Sequence, residues 1–135
     1  MDRQKCATLK KELAKLPEPP IVDINRFFDG NDDEGSIGCN LEPHPGIDAF
    51  RDSLVGLSKR QGIRGVYTVI SELDPGEDSW PFSDTVLVVG DVLAEEIRAA
   101  LESLQPDDVS SAELSSLGLP EFSSASGQAV VVWWD

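Results

Sequence analysis

Hydrophobic residues recur along this chain with two different periods, and their succession predicts an α+β fold. Cys6, Leu9, Leu13 and Leu16 fall at i, i+3, i+7 and i+10, one face of a helix over residues 2–16. Pro17, Pro19 and Pro20 end it and begin an extended linker, because proline lacks an N–H and holds its predecessor extended. Ile21–Ile24 is a short apolar stretch. Phe27 and Phe28 then anchor a turn into the loop Asp29–Gly35. Ile37, Cys39 and Leu41 alternate with small or polar neighbours, which predicts a strand over Ser36–Leu41 with Cys39 facing the core.

Ile47, Phe50, Leu54 and Leu57 stripe a second helix, roughly 46–60, with Asp48 in its first turn and Gly62 just past its basic end. Ile63–Ser71 and Thr85–Val89 read as β-branched strands joined by the acidic, turn-rich segment Leu73–Ser83. Asp91 is placed to cap a helix of about 92–104 striped by Leu93, Ile97, Leu101 and Leu104. Residues 105–127, rich in serine and acidic side chains, read as a long loop, and Ala129–Trp134 as a last strand.

From Ser36 onward this order is β-α-β-β-α-β, that of a ferredoxin-like sandwich. The expected fold is an antiparallel four-stranded sheet with two helices on one face and an added N-terminal helix. It forms one domain over 1–135: helix and Pro-rich linker 1–20, core 21–104 and 128–135, loop 105–127. In that topology the loop Asp29–Gly35 and the chain end lie at the opposite end from the hairpin Leu73–Ser83. The strands are apolar on both sides, as at Val66-Tyr67-Thr68-Val69-Ile70 and Val130–Trp134, so both faces should be covered. The second cover is the N-terminal helix, the 105–127 segment, or another copy of the chain. A homodimer through the open sheet face is therefore an expected partner.

Charge narrows the partners further. Eleven Lys and Arg stand against 25 Asp and Glu, for a net −14. Residues 1–20 carry +2, leaving −16 for the remainder, where Arg98 is the sole base after Arg64. Phosphate backbones and anionic membrane surfaces are bound by clustered Lys and Arg, so neither nucleic acid nor membrane is expected. A basic protein partner is favoured, or simple solubility. No apolar run approaches the ~20 residues that span a bilayer. The N-terminus has no apolar core of about 7–15 residues marking a signal peptide. Two cysteines, Cys6 and Cys39, are too few for a disulfide framework, so the cytoplasm is expected.

Candidate chemistry sits in the loops. Glu72–Asp84 places Trp80 and Phe82 among carboxylates, an arrangement suited to a basic, partly apolar partner. Trp80 and Phe82 would anchor, with Asp74, Glu77 and Asp78 steering. The alternative is that both aromatics tuck into the core and pin the hairpin. Asp29, Asn31 and Asp33 offer oxygens at alternate positions, as calcium loops do. The pattern then breaks: Glu34 replaces the sixth-position glycine and Asn40 the twelfth-position Glu. An irregular calcium or magnesium site and a solvated turn are both compatible with it, and no other cofactor is implied. His44 beside Glu42 could act as a general base in a cleft for a small molecule. No nucleophile elbow, zinc spacing or phosphate loop accompanies it, and an enzyme is the less favoured class.

The segments Phe28-Asp29-Gly30-Asn31-Asp32-Asp33-Glu34-Gly35-Ser36-Ile37-Gly38-Cys39-Asn40-Leu41 and Trp80-Pro81-Phe82-Ser83-Asp84 together resemble a family of small, uncharacterised bacterial proteins. The resemblance implies a bacterial cytoplasmic protein whose acidic loop and W-P-F-S-D segment are its distinctive parts. It implies no activity. In size and charge alone the chain also resembles small acidic immunity or inhibitor proteins. The leading expectation is thus a non-enzymatic binding module engaging a basic partner through the hairpin 72–84. A divalent-cation domain and a cleft near His44 are the alternatives.

Overall fold

The computed structural model describes residues 1–135. Asp2 caps the first helix, α1 (Arg3–Leu13), by accepting the Lys5 N–H. Cys6, Leu9 and Leu13 bury its apolar face, while Leu16 lies beyond the helix and remains partly exposed. Next come a short strand β1 (Ile21–Asp23) and a five-residue helix α2 (Ile24–Phe28). The long helix α3 (Ile47–Ser58) follows, then strands β2 (Ile63–Glu72) and β3 (Phe82–Gly90). Helix α4 (Ala94–Ala100) and strands β4 (Asp108–Glu113) and β5 (Gln128–Trp133) complete the chain.

The five strands form one open antiparallel sheet in the order β1-β2-β3-β5-β4. The α+β antiparallel class is as expected; the sheet has five strands rather than the four of the ferredoxin-like arrangement. Two departures account for the difference. Ser36–Leu41 is no strand: Gly38 adopts φ +63°, and a Cβ there would meet the Phe50 ring at 2.5 Å. The left-handed glycine ends any extended run and lets the loop close over Phe50. Its place in the sheet is taken by β1, which pairs Ile21–Asp23 with Val69–Tyr67. The second departure is β4, inside the segment expected to be a loop. Val109 is its one buried residue, so pairing with β5 rather than a hydrophobic pattern makes it a strand. A smaller correction concerns α4: it starts at Ala94 with Leu93 at the N-cap, without a side-chain cap from Asp91.

All the helices share one side of the sheet. Cys6, Leu9, Phe27, Phe28, Phe50, Leu54, Ile97 and Leu101 join Val66, Ile70, Val86, Val88, Val130 and Val132 in one core. Trp134 belongs to it, donating Nε1–H to the Leu104 carbonyl at 2.8 Å and packing edge-on to Phe50. Both sheet faces are covered, as the apolar strands require. The second cover is the chain's own segment 114–122: Leu119 packs on Ile21 and Leu87, and Leu114 on Val89 and Ala129. The face expected to stay open for a second copy is therefore largely closed from within. Trp133, 40% exposed, is its one bare large side chain.

Candidate functional site at the acidic pole

The loop Asp29–Gly35 lies against the hairpin 73–81, not at the far end of the sheet. Asp33 makes the junction. One carboxylate oxygen accepts the Gly35 N–H at 2.9 Å, and the other accepts the Trp80 main-chain N–H at 3.0 Å. Asn31 is buried beside it; its Oδ1 accepts the Asp33 N–H at 2.9 Å and its Nδ2 donates to Ser36 Oγ at 3.0 Å. Short polar side chains bonding nearby backbone are what hold this acidic run in a compact turn.

α1 lays its cations over the same pole. The N-terminal ammonium reaches Asp32 at 2.6 Å, Lys5 reaches Asp29 at 2.6 Å, and Arg3 reaches Asp78 at 2.8 Å. Lys10, mostly shielded, donates to Asp74 at 2.8 Å and to the Gly76 carbonyl at 3.0 Å. The hydrogen bond to Asp29 holds the Lys5 ammonium pKa above its ordinary value. Two expected steering groups, Asp74 and Asp78, thus already hold cations of their own chain, while Glu77 is exposed and without an ion pair.

The expected anchors divide. Trp80 is fully buried in the main core, with no partner for its indole N–H. It cannot protrude as an anchor, because the turn 73–81 folds it under α1. Phe82 is half-buried and stands opposite Glu72 across the β2–β3 ladder. Beside it runs a groove of about 330 Å³ lined by Asp33 and Cys39 on one side and Glu72, Pro75, Trp80 and Phe82 on the other. The two segments singled out in the sequence meet at this groove. Cys39, expected in the core, is exposed there because Gly38 turns the chain. Cys6 is buried as expected; burial pushes its thiol pKa up, and the thiol donates to the Ser79 carbonyl at 3.5 Å.

Asp29, Asn31 and Asp33 do not converge. Their oxygens serve Lys5, a main-chain N–H, and the Gly35 and Trp80 amides, respectively. No three His, Cys, Asp or Glu side chains are grouped as metal ligands. His44 is also engaged. Gly46 N–H donates to its Nδ1 at 2.9 Å, which leaves Nε2 to donate to the Ile37 carbonyl at 2.9 Å. The ring packs on Phe50, 5.2 Å between centroids, so it pins the 37–46 loop rather than facing a cleft. Sequence reasoning missed the widest concavity, between α2 and α3, of whose lining it had singled out only Asp29.

Residues 4–128, which include both distinctive segments, match the sequence model described as the uncharacterized protein YfbO family. The chain belongs to the YfbO family. This places it in the small bacterial family that its two segments resemble. It is 29% identical over 90 residues to the uncharacterized protein YfbO of Escherichia coli strain K12, an alignment covering 66% of this chain. The chain spans 63% of the length of that relative. No solved structure matches.

Proposed function

We propose that this protein is a non-enzymatic binding module whose acidic-pole groove receives a lysine or arginine side chain from a basic protein partner. The observation that carries the reading is the pairing of Glu72 with Phe82 at the groove's edge. Glu72 makes no ion pair, and it stands beside the apolar surface of Phe82 and Pro75. A long cationic side chain fits such a pair: its methylene stem lies on the ring and its head meets the carboxylate. Lys10 already does something comparable within the chain, its stem shielded and its head on Asp74 and the Gly76 carbonyl. Trp80 then supports the groove from beneath, and Phe82 and Glu72 are the contact residues. The reading places the protein in the cytoplasm, supported by two cysteines that are both free.

The test is capture from the host lysate, with wild type and a Phe82→Ala, Glu72→Gln double variant as baits. A basic protein retained by wild type and lost by the folded variant supports the reading. Equal retention by both baits, or none by folded wild type, overturns it.

A further inference from the structure

The largest concavity of the molecule, about 880 Å³, is a wide, open cleft between α2 and α3, lined mostly by polar residues. Its lining balances three bases against three carboxylates, so it is formally neutral in a chain of net −14. Beyond residue 20 the chain has six bases, Arg26, Arg51, Lys59, Arg60, Arg64 and Arg98. Arg26, Arg51 and Lys59 all line this one cleft.

Carboxylates line it too, but each is engaged. Asp23 accepts the Asn25 N–H at 2.8 Å, Asp29 holds Lys5 at 2.6 Å, and Asp52 faces Arg51 at 3.4 Å. Arg51 also touches Asp48 at 3.1 Å, and Arg26 touches Glu12 at 3.2 Å. The contacts of Arg51 are exposed and weak, so an incoming anion can exchange for them. Lys59 has no ion pair and is the free charge of the cleft.

Gly56 supplies an independent observation. It lines the cleft from the last turn of α3, and a Cβ built on it would meet nothing within 4 Å. Packing therefore does not require glycine, and helix propensity opposes it. What the missing side chain does provide is bare backbone on the cleft floor between Arg51 and Lys59.

We propose that the α2–α3 cleft binds a phosphorylated small molecule, with its phosphate held by Lys59 and Arg51 and its body lying over Gly56. Guanidinium and ammonium groups together supply the forked and point-charge donors that phosphate oxygens accept. This site is separate from the acidic-pole groove, and neither proposal depends on the other.

Pyrophosphate titrated into the full chain, followed by amide chemical shifts, tests the site. The expected result is saturable shifts confined to residues around Arg51, Gly56 and Lys59. Lys59→Gln with Arg51→Gln should weaken binding by about tenfold or more, as loss of charged hydrogen bonds does. Arg64→Gln, outside the cleft, should leave it unchanged. Gly56→Leu should block binding while the circular dichroism spectrum stays native. Absence of localised shifts at about 10 mM pyrophosphate, a range that detects even millimolar affinity, overturns the proposal. So do shifts that are undiminished in the Lys59, Arg51 variant or spread over every basic residue.

Discussion

Replacing Trp80 separates its place in the core from the anchoring role its sequence context suggests. The side chain is fully buried and belongs to the cluster joining α1, α3 and the sheet. Trp80→Ala removes an aromatic from a closed core, which costs about 3–5 kcal/mol. Against a total stability of about 5–15 kcal/mol, that is a large fraction. With a urea m-value of about 2 kcal/mol/M, the midpoint should fall by about 2 M. Trp80→Phe should behave differently. The indole N–H is buried without a partner, and such a group carries a desolvation cost of about 1–3 kcal/mol. Phenylalanine removes that cost while losing less volume than alanine, so Trp80→Phe should be destabilised by about 2 kcal/mol or less. The assay is urea unfolding followed by far-ultraviolet circular dichroism, with all three proteins at one concentration. A Trp80→Ala cost under about 1 kcal/mol, the range of ordinary surface changes, would refute the packing argument. Equal costs for alanine and phenylalanine would refute the account of the unpaired indole.

Asp33→Ala removes the acceptor for both the Gly35 and Trp80 amides and should cost about 2–3 kcal/mol, measured by the same unfolding curves. Gly56→Ala should stabilise the protein by about 0.5–1 kcal/mol, because the site has room for the methyl; a fall in melting temperature would show that the glycine serves packing after all. Stability should also decline at alkaline pH, in two stages. The unfolded Cys6 thiol ionises around its ordinary 9.0 while burial keeps the folded thiol neutral, so its contribution is whole below pH 9.0 and lost above it. Lys5 contributes fully below its ordinary 10.5 and loses that contribution as pH rises through its raised folded value. Cys6→Ala should abolish the first stage and leave the second, read from unfolding curves taken across this range. Calcium or magnesium should leave the melting temperature unchanged; a rise abolished by Asp29→Asn with Asp33→Asn would restore the cation reading of that loop.

Local pattern carried much of the fold. The stripe Cys6, Leu9, Leu13 and the stripe Ile47, Phe50, Leu54, Leu57 were legible because helical period and burial coincide. So were β2, β3 and β5, whose apolar residues on both sides demanded two covers. Which of the three candidate covers closes the second face was not legible, since Leu114, Leu119 and Phe122 are scattered through a serine-rich stretch without period. The site was harder still. Both distinctive segments stand out in the sequence, but they meet only through long-range contacts, among them the bond from the Trp80 amide to Asp33, 47 residues apart, and the shared core of Ile37 and Trp80. No local rule announces such a contact. The cleft between α2 and α3 is likewise a product of two helices that are distant in the chain. The sequence by itself thus determined the three longer helices, most strands, the charge and the family, whereas α2 read only as a turn. Tertiary structure alone decided that Trp80 lies inside, that Cys39 lies outside and that the basic helix sits on the acidic loops. The physical reason is that periodicity is a property of neighbours along the chain, whereas burial and ion pairing are set by neighbours in space.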